Sequence, residues 1–337
     1  MAASSTTAAS SSIRKWIWLF VIIILVIGAY SAGWFYAANA LKTNILKVLG
    51  DQKQAGVSGE CADIDFRGYP LRIGIYCSSV KVDDKINGIS AVFGALRSRS
   101  EVYTPGHISW DLRSPAEIRT AHGLTITSQW SHLRSNLVTK RGGVGQTSTI
   151  IEDLKATIVS AATAQTFDFN AARTEMHLVQ KGADLNAVFR LQNSNTVVQG
   201  LALPLPTLST NIEMTLFDKA GLIDGSDTTG KLYGAKGELR KVVADIGNGR
   251  VMTLSGPFSF DEAGYLTGQF KLKIESIDDW RKSLGELFPD LASTINTAGK
   301  LLKALVAGNT TASVDLTVKR GEVSLSGFIP LGKIPPI

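Results

Sequence analysis

The chain has 337 residues, a net charge of +6, 44% hydrophobic residues, only 19% charged ones, and 32 glycines. That length holds one large or two ordinary domains, and the composition is that of a turn-rich globular chain, which excludes general disorder. Lys and Arg are spread without a run of five, a pattern that suits anionic headgroups and gives no footing for nucleic-acid binding.

Residues 1–15, rich in Ala, Ser and Thr, read as a disordered cytoplasmic tail. Residues 16–41 then run for 26 positions without a charged side chain. About 20 apolar residues cross a bilayer core, so this stretch is a transmembrane anchor with length to spare for tilt. Trp16 and Trp18 lie at one end and Trp34, Phe35 and Tyr36 at the other, where amphipathic rings prefer the headgroup level. A buried core helix would not need so long an apolar surface on all sides. A signal peptide cleaved near Ala40 is the stronger rival, although its apolar region should be only about 7–15 residues long. Residues 42–59 keep a helical beat through Ile45 and Val48 with Lys42, Lys47 and Lys53 between, and read as a helical stalk ended by Gly56, Ser58 and Gly59. Positive charges flank both ends of the span, so they do not orient it.

The two cysteines do. Cys61 and Cys77 flank two strand-like runs around Gly68-Tyr69-Pro70, whose centre, residue 69, is their midpoint. A hairpin turning there places the sulfurs opposite each other. A bridge closing about 15 residues is worth ~3 kcal/mol in the chain-entropy model and needs an oxidising compartment. Two unrelated buried thiols are the alternative. The bridge places residues 60–337 in the periplasm, on a single-pass protein of the inner membrane.

From residue 60 the period changes from 3.6 to 2. Ile108-Trp110-Leu112 share one face, and Ile126-Ser128-Trp130 repeat the pattern after a turn at His122-Gly123. Lys140 to Gly145 reads as a loop. Three later pairs of alternating runs join through Lys181–Asp184, Asp261–Gly264 and Lys319–Glu322, Gly-containing connections typical of hairpins. Between residues 277 and 307 the beat returns to helical: Trp280, Leu284, Leu287, Leu291, Ile295, Leu302 and Leu305 recur at helical spacings across Pro289. This predicts two amphipathic helices with Pro289 at the joint, ended by Gly308.

Chemistry is sparse. His107, His122, His132 and His177 form no HxxxH, HxH or HExxH pattern, so no metal site is expected. No Gly-x-Ser-x-Gly elbow occurs. Ser78 and Lys81 spell Ser-x-x-Lys, but in an extended run rather than at a helix start. Asp63/Asp65 and Asp83/Asp84 suit solvent-facing or turn positions better than a glycosidase dyad. No catalytic residue, cofactor or enzyme activity is expected.

An apolar anchor, the hairpin Arg67-Gly68-Tyr69-Pro70-Leu71-Arg72 between two cysteines, a strand-rich body and the tail Gly327-Phe328-Ile329-Pro330-Leu331-Gly332-Lys333-Ile334-Pro335 resemble an uncharacterised family of Gram-negative envelope proteins, a domain of unknown function common in alphaproteobacteria. That resemblance carries no site residues. More loosely, Gly264-Tyr265-Leu266-Thr267-Gly268 is similar to strands of AsmA-type envelope proteins, which are anchored in the inner membrane and have β-rich periplasmic grooves implicated in lipid movement.

The expected fold is mainly β (α+β): a long twisted antiparallel sheet, with the N-terminal transmembrane helix and the late amphipathic helix pair. A sheet of this size must cover its apolar face or expose it, and a helix pair lying on a curved sheet leaves a trough. The expected function is to bind or carry lipid or another apolar envelope molecule at the membrane. Leu284, Leu287, Leu291, Ile295, Leu302 and Leu305 would form an apolar lid. A structural or assembly factor binding envelope proteins is the alternative, and an envelope enzyme the next.

Overall fold

In the computed structural model of the chain, the described residues are 10–54, 56–104, 106–140, 143–161, 163–199, 205–223, 232–306, 309–327 and 329–337. Within helices, side chains are described for all of these except 10–14, 37, 40–54, 294 and 305. Residues 1–9 of the expected tail, Gly308, Phe328, and the stalk's lysine and apolar side chains therefore lie outside the described residues.

The first helix, α1 (Ser10–Gln54), begins before the apolar run and continues without a break beyond it. Its stretch Lys15–Tyr36 has a mean hydropathy of 2.2 and is long and apolar enough to cross a membrane. The large side chains from Trp16 to Ile27 are exposed. The first strand starts at Val57, so residues 57–59, expected in the stalk, belong to the sheet.

Among the described residues, twenty strands form one sheet, and every pairing is antiparallel. The first ten are β1 (Val57–Ala62), β2 (Asp65–Arg67), β3 (Arg72–Cys77), β4 (Ser79–Asp84), β5 (Ile89–Phe93), β6 (Leu96–Glu101), β7 (His107–Leu112), β8 (Ala116–Thr120), β9 (Leu124–Gln129) and β10 (His132–Lys140). They are five long strands, each broken in the middle. β1 and β2 pair with β4 and β3, these with β5 and β6, then with β8 and β7, then with β9 and β10. Both halves of the last meet one unbroken strand, β11 (Gly143–Ser160). Gly143 to Gly145 are thus strand rather than loop.

The meander continues in chain order through β12 (Gln165–Lys181), β13 (Asp184–Val198), β14 (Leu208–Phe217), β15 (Lys236–Asp245), β16 (Val251–Phe260), β17 (Leu266–Ile274), β18 (Ala312–Lys319), β19 (Glu322–Leu325) and β20 (Ile329–Lys333). Each pairs with the next. Strand order therefore equals sequence order, the arrangement that short hairpin connections favour.

The breaks line up as a crease across the sheet. They fall at Asp63, Ser78, Gly94, Ser114-Pro115 and Trp130-Ser131, then at Asp153 in β11 and Asn193 in β13. Asp63, Asp153 and Asn193 have φ of 50°, 52° and 49°, a region that Asp and Asn tolerate better than most residues. The register of β11 with its neighbours is the same on both sides of the break, so the apolar set must itself change parity if the face does. It does: Phe167, Phe169 and Ala171 are followed in β12 by Thr174, Met176 and Leu178. In β11, Thr147, Thr149 and Ile151 are followed by Leu154, Ala156 and Ile158.

Two clusters fill the C-terminal part. Leu185, Leu216, Phe258, Phe270 and Val318 form one, packed against Leu222, Ile223 and Leu232 from the connection after β14. The second gathers Ile246, Ile274, Ile277, Trp280 and Ala312. Between β17 and β18 run α2 (Ile277–Leu287) and α3 (Ala292–Leu305), joined by a 3-10 turn at Pro289–Leu291. Asp278 of α2 takes Lys303 of α3 at 2.5 Å, and that contact holds its carboxyl below the usual range.

Candidate functional site: an apolar cavity beside the N-terminal helix

β3, β6 and β7 lie side by side near the first edge of the sheet. Their register puts Ile73, Ser100 and Ile108 in one row, continued by Leu137, Thr147 and Leu178. A second row on the same face runs from Ser98 through Trp110, Ser135, Thr149, Met176 and Phe189. β6 thus contributes two serines where its neighbours contribute Ile and Trp. Short side chains between long ones leave a hollow.

The ladder itself opens there. Arg72 and Ile73 pair with Glu101 and Ser100, and Tyr76 and Cys77 with Arg97 and Leu96, but Gly74 and Ile75 between them are unpaired although the register is the same on both sides. The Ile75 N–H instead donates to the Ser98 hydroxyl at 3.0 Å. Gly74 lies so close to β6 that a Cβ would collide with the Ser98 carbonyl oxygen. The result is a cavity of about 500 Å³ lined by Ile73, Gly74, Ile75, Ser98, Ser100, Val102, Gly106 and Ile108, with Arg99 and Glu101 at its margin. A hollow of this size and apolar lining suits a hydrocarbon chain more than a polar metabolite.

One end of the cavity reaches the tips of two hairpins. The Val102 N–H donates to the Leu71 carbonyl at 3.1 Å, tying the tip at Gly68–Leu71 to that at Val102–Thr104. Leu71 is 60% and Tyr103 66% exposed, which is unusual for such residues at adjoining turns. Arg72 faces Glu101 at 3.7 Å on this rim. A hydrogen bond to Glu101 holds the Tyr103 phenol above its ordinary value.

α1 seals the other side of the first tip. The Tyr30 hydroxyl donates to the Pro70 carbonyl at 2.5 Å, and the Trp34 ring N–H donates to the Arg72 carbonyl at 3.0 Å. The Ser31 and Tyr69 hydroxyls share a hydrogen bond of 2.6 Å. The Tyr69 ring stacks on Phe35 at 5.7 Å and meets the edge of Trp34 at 5.4 Å. The cavity therefore lies at the end of the sheet held by the apolar helix.

The residues expected from sequence lie elsewhere or play another part. Cys61 and Cys77 are bonded, with Cα atoms 5.3 Å apart, but not as opposed partners. Cys61 faces Val80, so the bridge runs diagonally across the crease. The hairpin pairs Asp65 with Tyr76 and Arg67 with Gly74, a register displaced from the symmetric one. The displacement is set at the turn: the register of β2 with β3 continues unchanged into that of β1 with β4, centred between Pro70 and Leu71 rather than on Tyr69.

Leu284 and Leu302 pack against the cluster of Ile246, Ile274, Ile277, Trp280 and Ala312. Leu287 and Ile295 are half-buried, Leu291 is 55% exposed, and the Leu305 side chain lies outside the described residues. None of the five that are described lines the cavity at β3, β6 and β7. Sequence reasoning missed that cavity. Its one local signal was the pair of serines alternating with arginines in Leu96–Glu101.

On the opposite face lies a polar hollow of about 520 Å³ among Arg97, Asp111, Arg113, His132, Arg134 and Glu152. Both of its carboxylates are paired: Arg134 binds Asp111 at 2.8 Å, and Glu152 binds Arg173 at 3.2 Å. Among the described residues, no three His, Cys, Asp or Glu converge as a metal site.

Residues 34–335 match the model of a family described as an uncharacterized protein conserved in bacteria, DUF2125. The chain belongs to this family. The match begins at Trp34, after most of the apolar run, and takes in the cavity-lining residues and nearly the whole sheet. No curated protein matches.

Proposed function

We propose that this protein is a single-pass, membrane-anchored member of the bacterial envelope that binds or carries a lipid or another apolar molecule. On this reading α1 is the uncleaved anchor in the inner membrane, the sheet stands in the periplasm, and α2 and α3 form an amphipathic pair on it. The observation that carries the proposal is the position of the cavity. A hollow of about 500 Å³ opens at the end of the sheet that Tyr30, Ser31 and Trp34 of α1 hold. The apolar rows beyond it extend this surface along the meander. The strand Gly264–Gly268, similar to those of AsmA-type proteins, is in keeping with a lipid role.

The test is binding of a fluorescent fatty acyl probe by the full chain in mild detergent. Ser100→Phe fills the cavity from a position where the wild type has a small side chain. It should reduce probe binding at least tenfold and shift the melting temperature by only a few degrees. Equal binding by wild type and Ser100→Phe would remove the cavity from the function and leave the partner-protein reading.

A further inference from the structure

We infer that the two hairpin tips, Gly68–Leu71 and Val102–Thr104, sit within the interfacial layer of the bilayer that α1 crosses, so that the cavity takes its occupant sideways from that leaflet. The inference rests on the membrane reading above and adds the source of the ligand: a bilayer lipid, with its chain in the cavity and its headgroup at the rim.

Height along α1 carries the argument. Trp16 to Trp34 spans about 27 Å at 1.5 Å per residue, close to the roughly 30 Å of a hydrocarbon core. Tyr30 and Ser31 are therefore about 5 Å short of the aromatic end of the run. Both are hydrogen-bonded to the first hairpin tip, at Pro70 and Tyr69. A tip bonded to residues at that depth lies no farther from the bilayer centre than the headgroup boundary. Its own side chains fit the place: Tyr69 is 46% exposed and Leu71 60%, an amphipathic ring and an aliphatic chain.

The second tip is tied to the first through Val102 and Leu71, and Tyr103 is exposed beside it. The cavity wall starts at Val102, within the second tip, and at Ile73, two residues or about 7 Å at strand rise beyond the first. Its mouth thus opens at the lipid surface rather than into bulk water. Arg72 and Glu101 flank that mouth, an arrangement suited to a headgroup carrying charge.

The far end of the same strands supplies the control. Ile86, in the turn after β4, is 71% exposed and stands about 40 Å from Leu71 at strand rise. Because Cys61 and Cys77 are bonded and no free cysteine is present, a new cysteine can be labelled alone. Tyr103→Cys, Leu71→Cys and Ile86→Cys in the full chain are each labelled with an environment-sensitive dye. They are then placed in phosphatidylethanolamine/phosphatidylglycerol liposomes carrying a nitroxide near the headgroup. The expected result is at least twofold quenching at residues 103 and 71 and none at 86. A photoactivatable acyl lipid in the same bilayer should crosslink to β7.

Quenching at 103 and 71 no greater than at 86 overturns the inference. The acyl-probe result with Ser100→Phe stands independently of it. Quenching without crosslinking to β7 also overturns it, because the tips would then dock without loading.

Discussion

The Ser78 hydroxyl donates to the Asp63 carboxylate at 2.6 Å, across the point where both of their strands break. The same pairing recurs five strands on, where Ser131 donates to Asp153 at 2.8 Å, and in altered form where the Asn193 N–H donates to Ser209 at 3.1 Å. An Asx residue at positive φ thus sits opposite a serine at three points of one crease. At Asp63 and Asp153 the positive-φ residue interrupts the strand while the register continues across the crease, and the serine supplies a partner for groups the ladder no longer serves.

A β-branched residue at such a position loses the hydrogen bond and strains the backbone. Asp153→Val should lower unfolding stability by about 2 kcal/mol, summing a lost hydrogen bond and an unfavourable φ. Asp153→Gly relieves the φ and should cost less than about 1 kcal/mol. Urea titration of both variants checks this. Equal losses would mean that the carboxylate, and not the backbone angle, carries the effect.

The disulfide pins the crease at its outermost strand pair. Its Cys77 end is almost wholly buried, and its loop is short, with a sequence separation of 16. Replacing both cysteines by Ala should cost about 2–4 kcal/mol. The loss should appear first as faster hydrogen exchange in β1 to β4, the strands nearest the sheet edge. A mass shift on thiol alkylation of the unreduced protein would show that the bridge does not form.

Much of the strand content was legible because alternation is local. Ile108-Trp110-Leu112 and the turns at Lys181–Asp184, Asp261–Gly264 and Lys319–Glu322 all sit where the period and the turn residues put them. The sulfur pair was also legible, but its register was not. A symmetric hairpin centres the turn on Tyr69, whereas the register centres it between Pro70 and Leu71, and nothing in Cys-Ala-Asp-Ile-Asp states that φ turns positive at Asp63. The parity change in β12, from Phe169 to Met176, was written in the sequence and needed two strands aligned side by side to be read. The cavity was least legible. It depends on Ser98 and Ser100 lying beside Ile73 and Ile108, which come from three strands and meet only through the register. The helical beat of 277–307 drew attention to Leu302 as a ligand contact, since periodicity marks an apolar face without saying what covers it.

Among the described residues, Glu175 is the one strongly shifted carboxylate, and it lies on the face opposite the cavity. Its side chain is 12% exposed and binds Arg173 at 2.5 Å and Arg190 at 3.3 Å. The hydrogen bond from Arg173, helped by His177 and Arg190, draws its pKa down to about 2 against the opposing effect of burial. A carboxylate with a depressed folded-state pKa contributes stability fully above the unfolded value near 4.5. The contribution is lost as pH falls from there toward 2. Its size is on the order of 2 kcal/mol, once the partial exposure of the arginines is allowed for. Glu175→Gln should therefore lower stability at pH 7 and flatten the decline between about pH 4.5 and 2. Chemical denaturation of both proteins across that range tests the sign.

The helices offer a contrast between two leucines of one periodic set. Leu302 packs against the Ile246, Ile274, Ile277, Trp280 and Ala312 cluster, whereas Leu291 is 55% exposed at the joint after Pro289. Burying a carboxylate without a partner is costly, whereas an exposed one stays hydrated. Leu302→Asp should thus destabilise the protein by about 3 kcal/mol or more, and Leu291→Asp by less than about 0.5 kcal/mol. Leu302→Trp should also destabilise, by about 1–3 kcal/mol, because a close-packed site resists added volume. Thermal melts of the three variants, run beside acyl-probe binding, separate packing from ligand contact. If Leu302→Trp keeps the wild-type melting temperature and abolishes probe binding, the helix face is a second wall of the ligand site. If stability falls while the surviving folded fraction binds the probe normally, α2 and α3 brace the sheet and the ligand site is the cavity at β3, β6 and β7.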